Sequence, residues 1–76
     1  MLSTIIRQQV VKSSKVESGY VWVSTCNTFD HGLETMVFPC NERGDVLDWG
    51  EIASDRYEDV PEAESGHAAT VSRFSL

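Results

Sequence analysis

Two cysteines and two histidines are the side chains of this 76-residue chain best suited to hold a metal: Cys26, His31, Cys40 and His67. Two thiolates and two imidazoles could coordinate zinc in a tetrahedral site. Structural zinc sites, however, usually take their ligands as close pairs such as Cys-x-x-Cys, and this sequence has no such pair. The pattern therefore predicts no metal site and no cofactor, and it favours two free thiols in a reducing compartment.

The candidates for acid–base or nucleophilic catalysis are scattered as well. The sequence has no nucleophile elbow, phosphate-binding loop or paired-glycine motif. Asp30 and His31 precede Gly32, an order typical of a turn in which the Asp side chain accepts a backbone hydrogen bond. His67 falls on an apolar helical stripe, where a core histidine hydrogen-bonded to the backbone is the commoner arrangement. Because the chain is short and has no cofactor motif, we predict that the protein is not an enzyme.

A hairpin is expected to position the central candidates. Residues 20–25 (YVWVST) and 34–38 (ETMVF) are rich in β-branched and aromatic residues, and the turn lies between them. Pairing Val23 with Phe38 collects apolar side chains on one face, which a half-buried hairpin turns inward. The inward set is then Val21, Val23, Met36, Phe38 and Cys40. This register puts Cys26 on the other face, about 16 Å along the strands from Cys40, too far for a disulfide.

The other segments complete the expected fold. Residues 4–11 fit either a strand, by their β-branched content, or a helix with an apolar stripe, and we favour the strand. Residues 45–49 and 51–57 are two shorter strand candidates. We therefore predict a single domain over residues 1–76 of the α+β class. It is a small antiparallel β-meander of three to five strands with one C-terminal helix packed on it.

The C-terminal helix has a clear expected start. Asp59 is the predicted N-cap, Glu62 follows at the capping-box spacing, and Pro61 is tolerated in the first turn. Gly66 in mid-helix costs about 1 kcal/mol relative to Ala, so we expect it to permit close approach to the sheet. The positions predicted to face inward repeat at helical spacing: Val60, Ala63, His67, Val71 and Phe74.

Composition and charge exclude several classes of protein. The hydrophobic (41%) and charged (24%) fractions are those of an ordinary globular domain. No apolar run approaches the roughly 20 residues that cross a bilayer, and the N-terminus does not resemble a signal peptide, so we expect a cytoplasmic protein. The net charge is −6, and the acids concentrate in residues 41–64. This balance disfavours direct nucleic-acid binding. The acids form either a solvated face or a surface for a basic partner.

The two tryptophans admit different interpretations. Trp22 faces away from the predicted core, so it could anchor a partner or simply pack, and we leave both open. Trp49, which precedes Gly50 in the acidic segment, fits packing better.

The order WVST, DH, ETMVF, DRY and then EAESGH before an apolar helix resembles a family of short, uncharacterised accessory proteins of tailed bacteriophages and prophages. Its members look like VST…LDH…ETMVF…RY-(ST)-EEEA-x-x-GH, and the match spans residues 22–74. The chain departs from this pattern in a shorter loop between residues 25 and 34, which puts any role of that loop in doubt. EDVPEAE also replaces the Ser-Thr-Glu-rich helix start.

The resemblance implies a phage-derived accessory protein in the host cytosol and brings no established activity with it. Two accounts of its polar residues stay open. They form either a ligand pocket or a structural network in which Glu34 meets His67 beneath the helix with Arg56 as counter-charge. Carried over by position, these residues are Thr25, Asp30, His31, Glu34, Thr35, Arg56, Tyr57 and His67.

Our first hypothesis is a non-enzymatic protein that binds a host protein, through Trp22 and an acidic surface, and modulates or inhibits it. The acidic surface would consist of Asp45, Asp48 and Glu51. The alternative is a small-molecule or nucleotide-binding or sequestering protein, with a site at a pocket or a dimer interface. That site would use His31, Glu34, Arg56 and His67. A third hypothesis is a virion-associated structural component that forms a homo-oligomer.

Overall fold

A computed structural model describes residues 3–75. Its elements are β1 (Ser3–Lys12), β2 (Tyr20–Thr28), β3 (Gly32–Cys40), β4 (Ala53–Tyr57) and α1 (Val60–Phe74). The strands form an antiparallel sheet in the order β1-β2-β3-β4, and α1 packs on one face of it. The predicted α+β meander with a C-terminal helix is confirmed, and so is the strand interpretation of residues 4–11.

The long connection between β3 and β4 differs from the prediction. Residues 45–49 do not form a strand and make only an isolated bridge, between Val46 and Cys40. The last strand begins at Ala53 rather than at residue 51. The connection still follows the edge of β3, because the Leu47 N–H donates to the Pro39 carbonyl (2.9 Å) and the Ile52 N–H to the Val37 carbonyl (2.8 Å). A loop that runs along the edge of β3 thus replaces the expected strand.

The register of the central hairpin is one residue away from the predicted one. Val23 lies opposite Val37, and Trp22 lies opposite Phe38. Because successive strand residues point to opposite faces, this single step exchanges the two faces of β3. Thr35 and Val37 therefore face α1. The prediction that Met36, Phe38 and Cys40 point inward beneath the helix was wrong, since they share the opposite face with Trp22.

The turn explains why this register is preferred. Thr28 pairs with Gly32, so three residues close the hairpin, and Gly32 takes a positive φ of 71°. The hydroxyl of Thr28 accepts a hydrogen bond from the His31 N–H at 3.1 Å. The side chain that braces the turn is thus that of Thr28, not of Asp30 as predicted. Asp30 and His31 both lie exposed at the tip.

The apolar core lies between the sheet and α1. Its buried cluster consists of Val11, Val21, Val23, Val37 and Phe74. The helix buries Ala63, His67, Thr70 and Phe74. The prediction of inward-facing helix residues was therefore correct for Ala63, His67 and Phe74. It was wrong for Val60, which is 42% exposed, and Val71 is only half-buried. Thr70 is buried but was not predicted. Thr70 can be buried because its hydroxyl donates to the Gly66 carbonyl at 2.8 Å.

The start of the helix follows the sequence signals. The Asp59 carboxylate accepts a hydrogen bond from the Glu62 N–H at 2.9 Å, which confirms the predicted N-cap. The Glu62 carboxylate in turn accepts from the Glu58 N–H at 2.8 Å, one residue earlier than the capping box expects. Both contacts satisfy backbone donors and hold α1 directly after β4.

Gly66 lies where the helix crosses β4. A Cβ atom built on Gly66 would overlap the ring of Tyr57, whose hydroxyl is held by Thr35. The predicted close approach to the sheet is therefore confirmed, and the group that requires it is an aromatic ring.

We expect Gly66→Ala to lower the free energy of unfolding by about 1 kcal/mol, because overpacking costs roughly 1–3 kcal/mol and the better helix propensity of Ala returns only about 1 kcal/mol. Urea unfolding followed by circular dichroism measures the change. Ser65→Ala, at an exposed neighbouring position, is the matched control and should be neutral or slightly stabilising. In a Tyr57→Leu background, Gly66→Ala should become stabilising. A more stable Gly66→Ala protein with Tyr57 in place would contradict the close packing of Gly66 against Tyr57.

Candidate functional site

A chain of hydrogen bonds runs beneath the helix and takes one side chain from each of the five elements. Its members, from β1, α1, β2, β3 and β4, are Gln9, His67, Thr25, Thr35 and Tyr57. The His67 Nε2 lies 2.9 Å from the Gln9 Oε1, and the His67 Nδ1 lies 2.7 Å from the Thr25 Oγ1. Thr25 bonds Thr35 directly across the strand pair, and the Tyr57 hydroxyl donates to Thr35 at 2.9 Å. We call these five residues the polar network.

The directions of these hydrogen bonds follow from simple chemistry. The carbonyl oxygen of Gln9 can only accept, so the His67 Nε2 carries the proton. The His67 Nδ1 then accepts from the Thr25 hydroxyl, which in turn accepts from Thr35. Because Tyr57 donates to Thr35, every hydroxyl in the series has a consistent role with a neutral imidazole.

The environment of His67 favours that neutral form. Its side chain is only 1% exposed. Burial lowers the pKa of His67 below its usual value, and the positive charge of Arg7 lowers it further. A buried imidazole with both nitrogens occupied is well suited to hold the helix on the sheet. Thr25, Tyr57 and His67, predicted as ligand-binding residues, are thus engaged within the polar network. The prediction that His67 bonds the backbone was wrong, because both of its nitrogens bond side chains.

Glu34 and Arg56 lie on the other face of the sheet. The Glu34 Oε2 is 3.7 Å from the Arg56 Nε, and the Glu34 side chain is largely buried. The predicted ion pair between Glu34 and Arg56 is therefore present. The predicted contact between Glu34 and His67 is not formed. Glu34 and His67 lie on opposite sides of the sheet because successive strand residues alternate between the two faces. Thr35 faces the helix, so its neighbour Glu34 points away from it.

The sheet face opposite α1, which we call the open face, carries an aromatic cluster. Trp22 and Phe38 lie side by side on β2 and β3 with ring centroids 6.2 Å apart. Trp49, from the β3–β4 connection, lies over both, with centroids 6.1 Å from Trp22 and 5.1 Å from Phe38 in edge-on geometry. Trp49 packs here as predicted, yet it remains 67% exposed. The cluster is therefore both ordered by packing and accessible.

A groove of about 270 Å³ extends from this cluster toward the hairpin turn. Met36 and the three aromatic side chains form its apolar part, whereas Cys26, Thr28 and Glu34 line the end near the turn. A groove of this size lies just below the range typical of small-molecule sites. It is well matched to a single large apolar side chain.

The two cysteines are both free and lie on the same open face. Cys26 pairs with Glu34 and Cys40 pairs with Tyr20. The prediction that the two cysteines lie on opposite faces was wrong, because the hairpin register differs by one residue from the predicted one. About 20 Å of strand still separates the two thiols. Burial raises the pKa of the Cys40 thiol, and the negative charge of Asp45 adds to this effect. Within residues 3–75, no group of three or more His, Cys, Asp or Glu side chains is placed to hold a metal ion.

The predicted acidic surface lies in the connection between β3 and β4. Asp45 is exposed but pairs with Arg43 at 3.4 Å and accepts a hydrogen bond from the Asn41 side chain. Asp48 accepts from the Gly50 N–H at 2.8 Å and so shapes the turn after Trp49. Glu51 is exposed. Asp48 and Glu51 therefore flank the exposed tryptophan, whereas the charge of Asp45 is partly offset.

The residues proposed for a nucleotide site do not come together. His67 lies beneath the helix, Glu34 and Arg56 lie on the open face, and His31 lies at the tip of the hairpin. The sequence did not point to Gln9. Residues 4–11 fitted either a strand or a helix, and the side a glutamine faces follows only once this segment is known to be an edge strand beside α1.

In comparisons with protein-family models, curated proteins and solved structures, no match to this chain was found. Among residues 3–75, no helix is long and apolar enough to cross a membrane.

The lowered pKa of His67 predicts a pH-dependent stability. In the unfolded chain the imidazole has its ordinary pKa of about 6.5, so between that value and the lower folded pKa the unfolded state binds more protons. The contribution of neutral His67 to the free energy of unfolding is therefore complete above about pH 6.5. It is lost as the pH falls toward the folded pKa, by at most about 1.4 kcal/mol per pH unit. Urea unfolding at a series of pH values measures this loss.

His67→Gln should flatten this pH dependence, whereas His31→Gln, at the exposed turn, should leave it unchanged. Nitrogen-15 NMR of the wild-type ring tests the same assignment without a substitution, since it should show the Nε2–H tautomer near neutral pH. An unshifted pKa, or an Nδ1–H tautomer, would contradict the network.

Proposed function

We propose that this chain is a non-enzymatic accessory protein that binds a host protein through the open face and modulates or inhibits it. The observation that carries the proposal is the aromatic cluster beside an apolar groove, in which Phe38 is buried, Trp22 is half-buried and Trp49 is exposed. Rigid aromatic side chains around a small groove are the usual energetic centre of a protein interface. The resemblance to phage accessory proteins supports a bacterial host protein as the partner, met in the host cytosol.

The edges of the sheet are less suited to binding than its open face. An open strand edge invites pairing with another chain, and proteins block it with bulges, charges or short strands. The register of β1 shifts between Ile5 and Arg7, which marks a bulge in that edge strand. At the other edge, β4 has only five residues and includes Asp55 and Arg56. These features favour docking on the open face over strand addition.

The charges around the groove favour a basic partner. Asp48 and Glu51 are exposed on either side of Trp49, and the chain as a whole carries a net charge of −6. An apolar side chain that enters the groove, flanked by Lys or Arg, would meet both kinds of surface. The acids would then speed association and select the partner, while the aromatic contact supplies most of the affinity.

The distribution of titratable groups supports a non-enzymatic role. His67 is buried with both nitrogens engaged, and Glu34 is paired with Arg56. His31 is exposed at the hairpin tip. A catalytic base needs a neighbouring group and a position at which a substrate can react, and these side chains lie at three separate places on the fold.

We expect Trp49→Ser to weaken partner binding by at least about tenfold, because removal of a hot-spot residue typically costs about 2 kcal/mol or more and tenfold corresponds to about 1.4 kcal/mol. The partner is first captured from a bacterial host lysate with the tagged wild-type protein, then purified and titrated by calorimetry. Phe29→Ser is the matched control, since Phe29 is an exposed aromatic residue (79%) at the far end of the hairpin. Equal losses in both variants, or capture of nothing beyond what an unrelated acidic protein retains, would overturn the proposal.

The double reversal Asp48→Lys and Glu51→Lys should slow association with the same partner, and the effect should shrink as salt is raised. Stopped-flow fluorescence of the tryptophans provides the rate. The control is Glu17→Lys with Asp55→Lys, which changes the net charge equally at exposed positions away from Trp49. If both double variants slow association to the same degree, overall charge rather than the surface beside Trp49 governs binding.

A further inference from the structure

A second cavity lies on the opposite side of the sheet, at the edge where β1 meets the helix. Its volume is about 380 Å³, within the range of small-molecule sites. One wall belongs to β1 and the other to α1. The lining residues are Arg7, Gln9, Glu64, His67, Ala68 and Val71.

The β1 wall presents hydrogen-bond donors. Because the His67 Nε2–H donates to the Gln9 Oε1, the amide oxygen is occupied and the NH₂ group of Gln9 is directed away from the imidazole. Arg7 lies two residues earlier on the same face of β1. Neither the guanidinium of Arg7 nor the NH₂ of Gln9 has a hydrogen-bond or ion-pair partner among residues 3–75. The polar network therefore orients the NH₂ of Gln9, and the strand places Arg7 beside it, so that both side chains line the same cavity.

The bulge in β1 helps to keep this mouth open. In a regular strand Ile5 would share a face with Arg7, but the register shift pairs Ile5 with Cys26 on the open face. Ile5 is 62% exposed there. The bulge thus removes a large apolar side chain from the position next to Arg7 on the helix side.

The helix wall has a different character. Glu64, Ala68 and Val71 lie three or four residues apart, so they form one stripe along α1. Glu64 is exposed and has no ion-pair partner among the described residues 3–75. Ala68 and Val71 supply a short apolar surface beside it. The cavity therefore has donors on one side, a carboxylate on the other, and an apolar strip on the helix.

We propose that this cavity binds a small zwitterionic molecule, one that carries a carboxylate or a phosphate together with an amino group. Arg7 and Gln9 hold the oxyanion, because a guanidinium beside an amide NH₂ matches two oxygens of such a group. Glu64 accepts the ammonium, and Ala68 with Val71 contacts the short apolar body between the two charges. This site lies across the sheet from the open face, so it is independent of the partner binding proposed above.

The probes are 5-aminovalerate and phosphoethanolamine, titrated into the labelled full chain and followed by nitrogen-15 HSQC spectra. We expect saturable shifts at Arg7, Gln9 and along the helix near Glu64, with dissociation constants of about 1 mM, equivalent to roughly −4 kcal/mol. Valerate and inorganic phosphate, which lack the amino group, should bind several-fold more weakly. Absence of saturable shifts at about 20 mM of both probes, well above that constant, would overturn the proposal.

Three variants separate a built site from general charge attraction. Arg7→Gln should weaken both probes by about tenfold, and Gln9→Glu should abolish oxyanion binding while its carboxylate still accepts from His67. Glu64→Gln should weaken 5-aminovalerate but not valerate. The matched control is Lys12→Gln, which removes a base from the same strand outside the cavity. Equal losses in Arg7→Gln and Lys12→Gln would contradict the site, and Trp49→Ser should leave all these affinities unchanged.

Discussion

The buried imidazole of His67 is the interaction on which the attachment of the helix depends. Its two nitrogens are removed from water, and a buried polar group without a partner costs about 1–3 kcal/mol. Only one placement of α1 lets Nδ1 reach Thr25 in β2 while Nε2 reaches Gln9 in β1. For a small domain whose whole stability is on the order of 5–15 kcal/mol, this requirement selects one orientation of the helix among many that would bury its apolar stripe. The network then extends through Thr35 to Tyr57, whose ring lies against Gly66 of the same helix.

The two faces of the sheet therefore carry different kinds of side chain. The helix side combines a small valine core with polar side chains that satisfy one another, and its role is to specify the fold. On the open side, large apolar groups gather around Trp22 and are only partly covered by the β3–β4 connection. Because no second layer covers that face within residues 3–75, the protein presents ordered apolar surface to its surroundings. Such a surface, in a domain whose strand edges are blocked by a bulge and by charged residues, supports the proposal that this face binds a partner protein.

The same network also determines where polar groups remain available. His67 occupies the oxygen of Gln9 and thereby directs its NH₂ outward beside Arg7. His67, which holds the helix on the sheet, thus orients a hydrogen-bond donor at the mouth of the cavity, and this links the structural network to the proposed ligand site. The open face and this cavity lie on opposite sides of a single sheet, so a partner on one need not exclude a ligand on the other.

Local signals were strong enough to predict most of the elements. The cap at Asp59, the helical spacing of Ala63, His67 and Phe74, and the β-branched run around Val21 each depend on near neighbours in the chain. The hairpin register was not predictable in this way, because β3 offers bulky residues in both alternations. Val37 and Phe38 could each face the core, and only the three-residue turn decides between them.

The sequence by itself thus determined which segments become strands and helix, and that His67 would be buried, since periodicity and capping act over a few residues. Tertiary structure alone decided what His67 touches. Gln9 is 58 positions away along the chain, and hydrogen-bond partners so distant are selected by how the helix docks on the sheet. The same docking created the cavity beside Arg7, and the path of the β3–β4 connection placed Trp49 against Phe38. These contacts require that whole elements meet in space, and no local pattern specifies such a meeting.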